Sequence, residues 1–441
     1  MKFGTYITTI YRTVEHKSIS ESNLGNEEYF IDIKKSMNED LLKKISLIIK
    51  DYRAEELGSA LDKQHVKKWI DQFDEKNREI ILKETAHILQ NWYFDEKQFE
   101  SFFDEVLSFL CKKYSISEIE LIRKTVFLST QEQCKSQTRM LNKLKKIIID
   151  RYGITIISTV DASYQIFVYL DDGLFTGAKA RREISSIMTY LPAGASIYAF
   201  YMIGATTGLK YSMEELKKEA DKHSLSFDMF RMNELQNARR ERNEYENGNK
   251  TINISSTHSC LWPLEEVDEI NCISEYISTS VEPHENKEKY LFRQSYWKED
   301  KGIFTSTKNR SIVEKEFLIK GIELAKYSNN KGLYPLGFNA WPSLGFGSFC
   351  ATYMNISNTC PLVLWWGNIE EKGDVLDMWY PLLPRRIDSD WGYEIFKEPI
   401  EVKKIYYCKE NHYNMCPDCG KYFGIMDDGG NGFCVDCAWK H

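Results

Sequence analysis

The chain has 441 residues, of which 42% are hydrophobic and 28% charged, with a formal net charge of −7. That composition marks a globular protein, and the length predicts two to four domains of roughly 100–200 residues each. The acidic balance excludes a global basic field that would draw the chain to nucleic acid or to an anionic membrane.

Residues 1–17 show no apolar stretch behind a basic start, so no secretory signal is expected. The eleven cysteines are therefore read in a reducing cytoplasm, as metal ligands where clustered and as small hydrophobes where scattered. Residues 1–115 read as an N-terminal helical domain. Apolar residues recur at helical spacing over 38–52, 66–73 and 77–89, and Asp95 with Gln98 forms a capping-box start for Phe99, Phe102, Phe103, Val106 and Leu110.

From residue 116 the period changes. Short apolar runs at 124–128, 165–170 and 195–203, with an edge run at 226–232, alternate with helical patterns at 135–152, 181–191 and 213–223. This alternation predicts an α/β fold, an open and mostly parallel sheet flanked by helices over residues 116–255. Its ligands are expected at the carboxyl ends of the strands. Residues 235–253 are charge-rich and read as a solvated loop or flap. Residues 256–405 hold a helical piece at 312–325 and a long uncharged segment at 332–369, and are expected to form a cap completing the core. That segment and the one at 191–209 are too interrupted by Pro and Gly to span a membrane. Residues 406–441 close the chain.

Residues 165–191 carry the strongest chemistry. A buried strand runs into Asp171 and Asp172, then a tight turn with Gly173, Thr176 and Gly177, then Ala178, Lys179 and a helix. Loop amides and a helix N-terminus aimed at one spot make an anion site. Carboxylates repel phosphate, so at the mouth of such a site they point to ribose hydroxyls, with or without Mg²⁺. A plain strand–turn–helix with a capping Asp pair is the alternative. Residues 131–136 (QEQCKS) offer a second strand-end anion site through Lys135 and Ser136, or simply a cap for the next helix.

At the C-terminus, Cys416 and Cys419 are followed by Cys434 and Cys437, two C-x₂-C knuckles that suit a structural tetrahedral Zn²⁺. Arg310 and Glu314 read as a surface ion pair four residues apart on a helix. Arg385 and Arg386, after a Pro turn, read as a phosphate clamp or an exposed basic pair.

The stretch from the strand through Thr176–Gly177 resembles the ribose 5-phosphate motif of type I phosphoribosyltransferases. That resemblance implies that Asp171 and Asp172 hold the ribose hydroxyls, that Thr176, Gly177 and Ala178 bind the 5′-phosphate, and that the 131–136 segment corresponds to the pyrophosphate loop. Two departures stand out. Phe175 occupies the place of a general-base carboxylate, and Lys179 replaces a hydroxyl. More widely, VKKWIDQFDEKNREIILKETAHILQNWYF, CKSQTRMLNKLKK, YLDDGLFTG, STHSCLWP, NRSIVEKEFLIKGIE, the GFGSF to TYMNISNTCPLVLWW segment and WYPLLPRR resemble phosphoribosyltransferase-like proteins associated with bacterial conflict (anti-phage) systems. This implies a cytoplasmic effector taking phosphoribosyl diphosphate or a nucleotide, encoded beside a defence protein or a ribonucleoprotein, including the reverse-transcriptase-based, retron-like systems whose toxin it would be. An enzyme acting at the sugar's anomeric carbon and a catalytically inactive nucleotide-sensing module are the two functions that follow. The zinc ribbon reads as an added module.

Overall fold

The computed structural model describes residues 26–130, 136–158, 160–161, 163–238, 242–246, 249–253, 258–266, 270–281, 291–294, 298–328, 330–340, 343–385, 413–415 and 422–424. Four strands, β2 (Thr125–Phe127), β3 (Ile166–Leu174), β4 (Ser196–Ala205) and β5 (Ser226–Leu235), form one sheet in that order, all parallel. Their central members are apolar at nearly every position because both faces are covered. Val168, Leu170, Phe200 and Met202 face α5 (Glu96–Tyr114) and α7 (Ser136–Tyr152). Phe167, Tyr169, Ala199 and Tyr201 face α8 (Ala178–Met188). On that side α9 (Thr206–Lys222) adds Leu216 and Ala220.

Helix α7 lies on one face and α8 on the other, although both connections lead along the sheet in the same direction. The reason is a fifth, minimal strand position: Ile157 bridges Val126 in parallel, and Phe127 N–H donates to the Ile157 carbonyl at 2.7 Å. The chain therefore steps outward past β2 before crossing back to β3, which keeps the crossovers right-handed. The sheet order is that of a doubly wound fold, and its switch point lies between the ends of β2 and β3.

The N-terminal helices divide their apolar faces between two cores. Helix α5 packs on the sheet, whereas α3 (Lys63–Ile70) and α4 (Glu75–Trp92) share a second core with residues 261–383. Helix α11 (Thr307–Ala325) is the centre of that second core. It is tied to α4 by the buried Glu84 carboxylate, which accepts from Thr305 N–H at 2.8 Å and from Asn309 Nδ2 at 2.7 Å. Among the described residues no helix is long and apolar enough to cross a membrane.

Two expectations change. Within residues 235–253, read as a solvated loop or flap, β6 (Arg242–Glu246) and β7 (Asn249–Asn253) pair as antiparallel strands. Polar sequence hid the pairing, because backbone hydrogen bonds between strands need no apolar face. Arg310 and Glu314, read as a surface pair, are fully buried. Arg310 Nε donates to Glu314 at 2.7 Å, Arg293 donates to the other carboxylate oxygen at 3.0 Å, and Arg310 pairs with Asp300 at 3.3 Å. Helical spacing gave the pair correctly but not its burial beneath Arg293 and Asp300, which precede the helix.

Candidate functional site

Strand β3 delivers Asp171 to the sheet end opposite Tyr201, and the chain then turns through Gly173 and Phe175 into α8. Gly177 caps that helix at φ 73°, a left-handed conformation that disfavours a side chain. A Cβ there would also sit 1.9 Å from Ser212 Oγ. The turn is seated from behind by α9. Gly208 lies so close that a Cβ would come within 1.8 Å of the Phe175 carbonyl. Arg181 donates to the Thr176 carbonyl at 3.2 Å and to the Ser212 hydroxyl at 3.0 Å, and its guanidinium lies over the Tyr211 ring. The first-turn amides of α8 thus begin at Ala178 on a fixed backbone, with no carbonyl behind them to accept.

The buried Asp171 carboxylate accepts from Ser136 Oγ at 3.1 Å, from Asp172 N–H at 3.0 Å and from Lys179 at 3.4 Å. Ser136, expected at the second anion site, is brought to the first by α7. Lys135 lies outside the described residues. Behind Asp171, Tyr169 donates to Glu183 at 2.7 Å, and Thr130 at the end of β2 reaches the same carboxylate oxygen at 2.9 Å. Thus Glu183, one turn beyond Lys179 on α8, links the two strand ends at the switch point. The sequence signal for it was only the four-residue spacing from Lys179.

Asp172 is half-buried and accepts from the Asn355 side chain. Burial, and then the neighbouring Asp171 charge, push its pKa up to about 7 against the pull of Lys179 and Asn355. Burial also opposes the Lys179 ammonium, but Asp171, Glu183 and Asp172 outweigh it and hold its pKa above the usual lysine value. Two adjacent carboxylates at the cavity wall supply the hard oxygen donors that a divalent cation takes.

These residues open into a cavity of about 480 Å³. One wall is the expected motif, Asp171 through Ala180. The other comes from the cap, through Phe338, Cys350–Thr352, Asn355, Ser357–Thr359 and Arg385, together with Arg53 from the N-terminal helical stretch. Five cations line it, Arg53, Arg139, Lys179, Arg182 and Arg385, against the carboxylates of Asp171 and Asp172. In an acidic chain this is a local, inward-facing excess of positive charge, suited to a small polyanion. A hydrogen bond with Cys360, and then burial, push the Cys350 thiol pKa up. Phe175 packs edge-on against Phe346 of the cap, with ring centroids 5.7 Å apart. Arg53 escaped the sequence reading because it is over a hundred residues from the motif, in a helical stretch with no motif of its own.

A doubly wound parallel sheet, with an acidic strand end and a glycine-capped helix at its switch point, defines a phosphoribosyltransferase-like domain. The family model PRTase-CE matches residues 66–385, well over half of the chain, and the protein belongs to that family. Comparison with curated proteins gives no match. Cys416, Cys419, Cys434 and Cys437 lie outside the described residues, as does Arg386. The paired backbone of β12 (Tyr413–Met415) and β13 (Tyr422–Gly424) flanks the first C-x₂-C in sequence.

Proposed function

We propose that the cavity binds a 5-phosphoribosyl ligand, phosphoribosyl diphosphate or a nucleotide, together with Mg²⁺, and that the protein acts at the sugar's anomeric carbon. The observation that carries this is the joint placement of the Asp171–Asp172 pair and the α8 N-terminus in one cavity dominated by cations. The 5′-phosphate would rest on the amides of Gly177 and Ala178 with the Thr176 hydroxyl and the Lys179 ammonium, and Gly173 keeps the turn open beside it. Mg²⁺ would neutralise charge on the phosphoryl oxygens. Asp172, and Asp171 behind it, would face the ribose, where positive charge develops as the bond to the anomeric carbon breaks. Ser136, by its contact with Asp171, and Lys135 would serve the departing group.

The wider motifs support a role as an anti-phage defence effector, in the cytoplasm and beside a protein or ribonucleoprotein partner, as the toxin of a retron-like system. The C-x₂-C spacing supports a structural Zn²⁺ held by Cys416, Cys419, Cys434 and Cys437. One observation favours a second reading, a nucleotide sensor without catalysis. Phe175, packed on Phe346, stands where a proton-accepting carboxylate would serve base chemistry.

The two readings separate at saturating ligand. Asp172→Asn keeps the size and the hydrogen bonding of the side chain but removes its charge. An enzyme loses more in rate than in binding, so this variant is expected to bind ligand and yet fail to act in cells. Full activity of Asp172→Asn at saturating ligand would leave only the sensor.

A further inference from the structure

The two oxygens of Asp171 meet different kinds of partner. Oδ1 accepts from Ser136 Oγ at 3.1 Å and from Asp172 N–H at 3.0 Å. Both donors are fixed, since the serine opens α7 and the amide belongs to β3 itself. Oδ2 faces the Tyr169 hydroxyl and the Lys179 ammonium, each at 3.4 Å, longer than a hydrogen bond at full strength. The Asp171 side chain is 5% exposed and that of Lys179 is 47% exposed, so the anion is rigid and the cation is the member that can move.

Lys179 also belongs to the first turn of α8, beside the Gly177 and Ala178 amides on which an anion would rest. Burial works against its charge, yet Asp171, Glu183 and Asp172 outweigh burial and keep the ammonium protonated. A cation at Asp171 covers an oxygen that a divalent ion would take, and it repels that ion. An anion on the α8 amides draws the same ammonium the other way. One flexible lysine thus stands between a carboxylate suited to a metal and a turn suited to a phosphate. The hydroxyl that the resembling motif carries at this position has no charge and could not do this.

We infer that Lys179 is the built-in counter-ion of Asp171, standing where a divalent cation binds until a phosphate on the α8 turn draws it away and admits the metal. Metal and phosphoryl ligand then bind cooperatively, because one side chain makes a different contact in each state. The hand-off rests on the phosphoribosyl reading above. The counter-ion role needs only Asp171.

Mn²⁺ is the metal probe, since it takes the same oxygen donors as Mg²⁺ and the free ion is read directly by electron paramagnetic resonance. With the full chain and no phosphate present, Lys179→Ala is expected to bind Mn²⁺ about tenfold tighter than wild type, the effect of removing one charge-assisted contact. Lys179→Arg keeps the charge and should stay near wild type. Adding Asp171→Asn to Lys179→Ala should cancel the gain, which ties it to this carboxylate. A lysine that only stabilised the fold would leave metal affinity unchanged or lower it, and either result in Lys179→Ala overturns the inference. So does a gain that survives Asp171→Asn. In the second arm, ribose 5-phosphate should tighten Mn²⁺ binding several-fold in wild type and by a smaller factor in Lys179→Ala. Equal tightening in both, or none in a wild type that binds ribose 5-phosphate, overturns the hand-off. If ribose 5-phosphate fails to bind the wild type while Lys179→Ala still gains Mn²⁺ affinity, the phosphoribosyl reading falls and the counter-ion role stands.

Discussion

At the scale of single residues the site turns on Asp172. Its folded pKa of about 7 stands above the ordinary carboxylate value near 4 that it regains on unfolding. Folding therefore takes up a proton between those values, and stability falls as pH rises across that window. The buried Glu183, also raised, adds to the same slope. Asp172→Asn removes one of the two contributions, so urea unfolding from pH 4 to 7.5 should show a flatter decline than wild type. An identical decline would mean that Asp172 is not perturbed. Mg²⁺ requires the ionised carboxylate, so Mg²⁺-dependent ligand affinity should rise with pH up to about 7 in wild type. The Asp171–Asp172 pair and Thr176–Lys179 were legible in the sequence because strand, loop and helix start follow one another within a few residues. Arg53, Glu183 and Asn355 were not, since their roles depend on contacts made by folding. The signal that existed for Arg385, a Pro turn before two arginines, left clamp and surface pair equally open; the cavity lining favours the clamp.

At the scale of elements the decisive contact is between the α8 turn and α9. The sequence reading began that helix at Met213, yet it starts at Thr206, directly after β4, and its first turn brings Gly208 against the Phe175 carbonyl. Glycine in a helix reads as a weakness in a propensity argument. Here it is the space that lets the loop close. Gly208→Ala is expected to destabilise the fold by about 1–3 kcal/mol, the usual cost of overpacking, and to weaken phosphate binding further by displacing Thr176–Ala178. Thermal unfolding with and without ribose 5-phosphate checks both. Unchanged stability and unchanged binding would show that the close approach does not exist. The strands of the sheet were legible as continuous apolar runs, a consequence of helices on both faces. The bridge at Ile157, which sets the switch point, is a single residue pair and left no periodic trace.

At the scale of the whole molecule, the cap is held together by a buried polar network as well as by apolar packing. Arg293, Glu314, Arg310 and Asp300 form a charge-balanced network with essentially no exposure. Removing one partner leaves an uncompensated charge, so Glu314→Ala is expected to cost about 3–5 kcal/mol, measured by urea unfolding. A loss under 1 kcal/mol would contradict burial of the pair. Its motif stretches resemble a known family, yet spacing gave only the Arg310–Glu314 pair, because Arg293 and Asp300 come from other segments. For the proposed zinc module, elemental analysis should find one zinc ion per chain, lost in Cys416→Ser; zinc-free wild type would remove it. The central claim is that the cavity at the switch point holds a phosphoribosyl ligand. The most direct measurement is calorimetric titration of the wild-type protein with phosphoribosyl diphosphate, with Mg²⁺ and with excess chelator, beside Thr176→Val and Lys179→Ala. Saturable binding that needs Mg²⁺ and is weakened in both variants is the expected result. The absence of Mg²⁺-dependent binding of phosphoribosyl diphosphate, or binding that neither substitution alters, would contradict it.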